Sequence, residues 1–232
     1  MNMIIEYSNL QRGELPLNKI IHGHVLDVLQ KFPSESIDLI IFSPPYYGLR
    51  NYTDEANAIW GGDPYCEHIW VESIKPKERG SYGKSSWRRP SRDHDAKWRS
   101  WKSRYCKKCG AWYGQLGLEP HPRMYLEHML MVFKELKRVL KKTGSIYINI
   151  GDSYYNGRKQ ENWLQPKQLL GIPWRLAIMI QDELGLILRN AIIWYKPNHM
   201  PSSVKDRLTN SYEYIFHFVK SRRYYYNLDN IR

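Results

Sequence analysis

No apolar run in the 232-residue chain approaches the length that a membrane-crossing helix requires, which excludes a helical membrane span. Cysteine is scarce. Three residues cannot build a disulfide framework, and so few point to a reducing compartment. The N-terminal stretch MNMIIEYSNLQRGE lacks the basic-then-apolar layout of a secretion signal, so a cytoplasmic location is expected. Negative charge is also in short supply: 23 acidic residues face 35 basic ones, for a net charge of +12 and a pI near 9.5. That excess favours a polyanionic partner, most simply nucleic acid. Internal repeats are absent. Apolar residues make up 42% of the chain, enough for a sizeable core, and the length suits one domain with an insertion or two small domains.

The apolar material is arranged in alternating units. NKIIHGHVLDVLQKFPSESIDLIIFSPPY predicts a short strand, a helix of about two turns, then a buried strand at 37–43. Further on, Leu126, Met129, Leu130, Phe133, Leu136, Val139 and Leu140 fall at helical spacing, and Lys141, Lys142 and Gly144 close that helix. The strand SIYINI then delivers Gly151-Asp152 to its carboxyl end. A third unit repeats the pattern with the helix LLGIPWRLAIMIQDELG and the strand LILRNAIIWYKP. The last apolar run, YEYIFHFVK, follows a loop too short for a crossover helix and reads as an antiparallel edge strand. Such alternation predicts an α/β fold with a doubly wound, mostly parallel sheet and ligands at the strands' carboxyl ends.

Residues 55–118 break the rhythm. They are polar and aromatic, without helical or strand periodicity, and hold thirteen basic against seven acidic residues and six of the nine tryptophans. We expect an insertion here, flanked by a main region of 1–54 and 119–232. All three cysteines lie in it, as CEH (Cys66, His68) and CKKC (Cys106, Cys109). A Cys-x-x-Cys turn places two thiolates on one cation, and a Cys-x-His pair completes the tetrahedral set that zinc prefers. His94 is the alternative to His68, and a pair of reduced cysteines near an unrelated third is the alternative to any metal. A closed four-ligand site would be structural, and it would supply what the insertion's few aliphatics cannot. Its lysines and arginines, interleaved with tryptophans, suit neutralising phosphates and stacking on bases; Arg88, Arg89, Arg92, Trp98 and Trp101 are the candidates for double-stranded DNA. The competing expectation is a solvated loop whose tryptophans only pack around the metal.

The strand at 37–43 ends in Ser43-Pro44-Pro45-Tyr46, and prolines cannot donate to a sheet ladder. An exocyclic amino group on a base is a poor nucleophile because its lone pair is delocalised into the ring. Two acceptors for its protons would steer the nitrogen toward sp³ and free the lone pair. Ser43 Oγ and the Pro44 carbonyl are two such acceptors, held by rings that fix φ. Tyr46 offers a flat face for an extruded base. These residue types suit transfer onto a base nitrogen by direct displacement.

At this point a resemblance enters. DLIIFSPPYYGLRNY resembles motif IV of the amino-group DNA methyltransferases, and the stretches from GQLGLEP through YYYN resemble later catalytic motifs of that family's permuted β-class, including a cysteine-bearing insert. The resemblance implies a Rossmann-like methyltransferase sheet, S-adenosylmethionine as methyl donor, base flipping, a restriction-modification setting in a prokaryotic or viral-host cytoplasm, and methylation of cytosine N4 rather than adenine N6 because serine opens the box. It also implies catalytic roles for Ser43, Pro44, Pro45 and Tyr46. Two departures stand out. Where the family has Gly-Asp before motif IV, this chain has Gly23-His24, so His24, with Ser43, takes the cofactor-contact position. The family's Phe-x-Gly-x-Gly turn is absent, so the sheet is expected to lack its first two strands. The expectation is therefore a catalytic half, either truncated or paired with a second polypeptide carrying the cofactor region. A catalytically silent zinc and DNA-binding subunit is the rival from another class. Cytosine C5 methylation is excluded because it needs a cysteine nucleophile, and the three cysteines are committed to the insertion. Methylation of a protein glutamine or an RNA base uses a related box, usually opening with asparagine.

Overall fold

A computed structural model describes residues 3–74, 102–157, 159–160 and 162–231. The chain opens with β1 (Ile4–Glu6) and β2 (Ile20–His22), which pair parallel, followed by α1 (Val25–Lys31) and β3 (Ile37–Phe42). Four short strands come next: β4 (Ala58–Trp60), β5 (Trp70–Ile74), β6 (Lys102–Cys106) and β7 (Trp112–Gly114). Then follow α2 (Pro122–Val139), β8 (Leu140–Ile150), α3 (Ile172–Leu184), β9 (Ile187–Tyr195) and β10 (Tyr212–Val219).

The main sheet has the order β3-β8-β10-β9. β3 and β8 are parallel, with Ile40 opposite Ile146, and β10 is antiparallel to both of its neighbours. Three strands therefore run one way and β10 runs the other. The antiparallel direction of 212–219 matches expectation, but its edge position does not. β10 lies between β8 and β9, and Phe216, His217, Phe218 and Val219 are all buried. A strand covered on both faces reads as a continuous apolar run, which is the reason for the run YIFHFV. The edge at this end of the sheet is instead β9, where Ile193, Trp194 and Tyr195 are all more than half exposed.

α2 forms because its apolar residues recur every three or four positions. Tyr125, Leu126, Met129, Val132, Phe133, Leu136 and Val139 are buried, and they meet Ile146, Ile148 and Ile150 of β8 and Phe216 and Phe218 of β10. Each of the larger side chains contributes about 1.5–3 kcal/mol by leaving water. The helix ends one residue before Leu140, which is already extended and pairs with Ile37.

The flanks of the insertion are more ordered than their pattern suggested. β4, β7, β6 and β5 form a four-stranded antiparallel sheet in that order. Strands of three to five residues are too short to show alternation in sequence, and this sheet is held by its turn and its tryptophans. Between β6 and β7 the Cys106 amide donates to the Ala111 carbonyl at 2.8 Å.

Candidate active site

β3 delivers the Ser-Pro-Pro-Tyr loop to the carboxyl edge of the main sheet. Ser43 is exposed, Pro44 is buried, and Pro45 and Tyr46 are half-buried. The loop is braced from α2 and from the segment after β7. The hydroxyl of Tyr125, a fully buried residue, donates to the Pro45 carbonyl at 2.9 Å, and the Gly48 amide donates to the Gly117 carbonyl at 2.7 Å. Gly117 has φ +91°, and a Cβ there would stand 2.9 Å from the Tyr46 carbonyl oxygen. Only glycine permits that approach. No described residue donates to the Pro44 carbonyl, so it and Ser43 Oγ remain available as acceptors.

Tyr46 is the hub of a polar cluster. Its ring lies against Gly151, where a Cβ would come within 2.8 Å of Cε2. Its hydroxyl receives the Ser43 hydroxyl at 3.3 Å and lies 2.7 Å from Asn149 Oδ1 and 2.9 Å from Glu213 Oε2. One hydroxyl proton serves only one of those two acceptors at a time. The other Glu213 oxygen pairs with Lys196. Burial, reinforced by Glu213 and opposed by Ser43, pushes the Tyr46 pKa up to about 12, so the phenol stays neutral. Asn149, Glu213, Lys196 and Tyr125 were not singled out by the sequence reading. The available signal was polarity inside apolar strands, Asn149 in IYINI and Glu213 in YEYIF.

His24 caps α1 without a side-chain hydrogen bond, sits edge-on to Trp60 at 4.9 Å, and has a buried Nε2 with no partner among the described residues. Burial lowers its pKa, against the opposing pull of Asp27. It is a neutral imidazole with one unused nitrogen, which suits a hydrogen bond to a ligand. The Asp152 carboxylate accepts the amides of Ser153, Gly171 and Ile172 at 2.9–3.1 Å and so caps α3. His199 is exposed in the loop after β9.

The insertion brings its four predicted ligands together. Cys66, His68, Cys106 and Cys109 place one donor atom each within 4.8 Å of one another, and all three cysteines are free thiols. Cys66 Sγ lies 3.8 Å from Cys106 Sγ, and Cys109 Sγ lies 3.4 Å from His68 Nδ1. A tetrahedral ion with bonds of about 2.3 Å to sulfur and 2.0–2.1 Å to nitrogen has edges of about 3.8 and 3.5 Å. These two edges suit such an ion. Burial opposes ionisation at Cys106, but hydrogen bonds from the Cys109 backbone, the His68 side chain and the Lys108 and Ile69 backbone outweigh it and bring its pKa to about 5. Burial pushes Cys66 the other way, to about 12. His94, Arg88, Arg89, Arg92, Trp98 and Trp101 lie outside the described residues.

A family model described as DNA methylase, covering N6 and N4 methyltransferases, matches residues 37–232. The chain belongs to this DNA methylase family. Among curated relatives it is 35% identical over 217 residues to the type II methyltransferase M.SfiI of Streptomyces fimbriatus, covering 90% of this chain and 38% of that protein. It is 32% identical over 251 residues to the type II methyltransferase M.Cfr9I of Citrobacter freundii, covering 98% of this chain and 64% of that one. This DNA methylase family chain thus spans less than two thirds of either relative. Among solved structures, a PvuII DNA methyltransferase (cytosine-N4-specific) aligns at 18% identity and a TM-score of 0.48, covering 87% of this chain and 48% of that one.

Proposed function

We propose that this chain is the catalytic half of a DNA amino-methyltransferase that moves a methyl group from S-adenosylmethionine to an exocyclic base amine, with cytosine N4 favoured over adenine N6. The observation that carries the reading is the acceptor pair, Ser43 Oγ and the Pro44 carbonyl, to which no described residue donates, on a loop braced by Tyr125 and Gly117. With the base extruded from double-stranded DNA, these two oxygens accept the amino protons and the nitrogen lone pair becomes available for displacement. The half-exposed Tyr46 ring offers the stacking face, and its neutral hydroxyl orients Ser43. The methyl donor supplies the electrophilic carbon when bound. Among the residues of this chain, His24 and Ser43 are the ones we assign to contact it, His24 through its unused Nε2. Cytosine N4 is favoured because serine opens the box.

The cofactor region itself must come from additional chain or from a second polypeptide. Among the described residues no strand pairs with the outer edge of β3, while Leu39 and Ile41 on that strand are 52% and 70% exposed. An open apolar edge of this kind is a template for further strands. We treat residues 55–118 as a unit added to the methyltransferase region, with zinc bound by Cys66, His68, Cys106 and Cys109 as a structural ion. The second reading, a catalytically silent zinc and DNA-binding subunit, is favoured by the missing glycine-rich turn. Ser43→Ala in the enzyme completed with its cofactor region separates the two. Turnover should fall about 10²-fold with DNA binding retained; wild-type turnover in that variant, or none in either protein, rejects the catalytic reading.

A further inference from the structure

Behind the direct Gly48–Gly117 contact, a buried hydrogen-bonded pair links the insertion's sheet to the catalytic loop. Glu119 is 1% exposed; its Oε2 accepts the Gly117 amide at 2.8 Å, and its Oε1 lies 2.9 Å from His128 Nδ1. His128 projects from α2 and stacks on Trp60 of β4 at 5.2 Å and on Trp112 of β7 at 5.5 Å. Both indoles also touch Gly114, whose carbonyl accepts Trp60 Nε1 at 3.2 Å and where a Cβ would stand 2.4 Å from the Trp112 ring. Trp112 follows Ala111, the residue that closes the Cys106–Cys109 turn. At the other end, Gly117 holds Gly48 through its carbonyl and abuts the Tyr46 carbonyl. Buried contacts therefore run without a break from the four-ligand cluster to the Ser-Pro-Pro-Tyr loop.

Stability alone does not explain the choice of residues. Burying a carboxylate costs several kcal/mol before its partners offset that, and well-packed apolar residues often do as well or better. What the pair adds is direction. Two angular hydrogen bonds hold the Glu119 carboxylate, which in turn aims the Gly117 peptide at the loop. The flat imidazole, stacked on two indoles of the insertion's sheet, fixes the other end.

We propose that Glu119 and His128 are positioning residues, a strut through which occupancy of the Cys66, His68, Cys106 and Cys109 site sets the geometry of the Ser43–Tyr46 loop. This rests on the methyltransferase and metal readings above. The test uses the complete enzyme, zinc-loaded and chelator-stripped, as wild type, Glu119→Gln, His128→Asn and Ser43→Ala, with zinc content and melting temperature recorded for each. His128→Asn keeps a donor near the Nδ1 position but loses the ring that touches both indoles. Stripping zinc should slow single-turnover methyl transfer in the wild type. Zinc-loaded Glu119→Gln should be slower by about tenfold with KM for DNA unchanged, as expected for a misplaced catalytic group. In both strut variants, removing zinc should then add less than about a twofold further loss, because the link is already cut. Losses that multiply independently, or a strut variant that keeps wild-type transfer and wild-type zinc sensitivity, overturn the strut. Ser43→Ala transferring as fast as wild type overturns the catalytic reading beneath it, and the two failures are told apart by that control.

Discussion

Replacing Gly117 by alanine probes how tightly the catalytic loop is specified. Two costs can be worked from the geometry. At φ +91° an L side chain is strained, which costs about 1–3 kcal/mol. The new Cβ would also stand 2.9 Å from the Tyr46 carbonyl oxygen and 3.2 Å from that of Pro45. Both atoms are backbone, so neither can swing aside, and forcing an extra carbon into a packed site adds about 1–3 kcal/mol. The expected total is about 2–6 kcal/mol, against the strain alone for Gly13→Ala, where φ is +85° and nothing lies within 4 Å. In urea unfolding, with m of about 2 kcal/mol/M, the Gly117→Ala midpoint should fall below that of Gly13→Ala by roughly 0.5–1.5 M. Methyl transfer by the complete enzyme should fall with it, because relief of the clash moves the backbone that carries Tyr46. Equal midpoints for the two variants, with wild-type transfer in Gly117→Ala, would refute the claim that this contact sets the loop.

Three further outcomes can be checked directly. Asp152→Asn should destabilise the fold by about 1–2 kcal/mol while leaving DNA affinity unchanged, since its carboxylate caps α3 through the Gly171 and Ile172 amides; thermal unfolding reads this. Protein purified without chelator should carry about one zinc per chain, and Cys109→Ser should lose it together with thermal stability; metal-free, folded wild-type protein with three reactive thiols would leave the cluster as free cysteines. Replacing Arg88, Arg89 and Arg92 by alanine should lower the slope of log affinity against log salt by up to about three, near one for each phosphate that is no longer neutralised, and an unchanged slope would return 84–108 to the status of scaffold.

The legible part of this chain was whatever depends on local order. The helix at 122–139 announces itself through period 3.6, and the strands at 37–42 and 145–150 through apolar runs, whereas 140–144, expected to close the helix, already belong to β8. The grouping of Cys66, His68, Cys106 and Cys109 was legible because the Cys-x-His and Cys-x-x-Cys spacings each bring two donor side chains close together, and the fold then sets the two pairs beside each other. The short strands of the insertion were not, since three residues carry no measurable period. The place of 212–219 in the sheet was misread because an antiparallel return strand can sit outside its partner or slip between two strands. Burial of both its faces decides that, and local pattern does not report on what covers a second face.

The amino-acid sequence alone carried the family resemblance, the Ser-Pro-Pro-Tyr box, a basic insertion and the Cys-x-His and Cys-x-x-Cys pairs. Their identities are a property of residue type and spacing, which need no third dimension. Only the tertiary structure decided what holds them. The Tyr46 hydroxyl finds Asn149, 103 residues away, and Glu213, 167 residues away. The strut from Gly117 through Glu119 and His128 reaches tryptophans of β4 and β7. Such contacts join side chains brought together by sheet order and helix packing. A hydrogen bond or ring stack forms wherever two groups arrive at the right distance and angle, however far apart they lie along the chain.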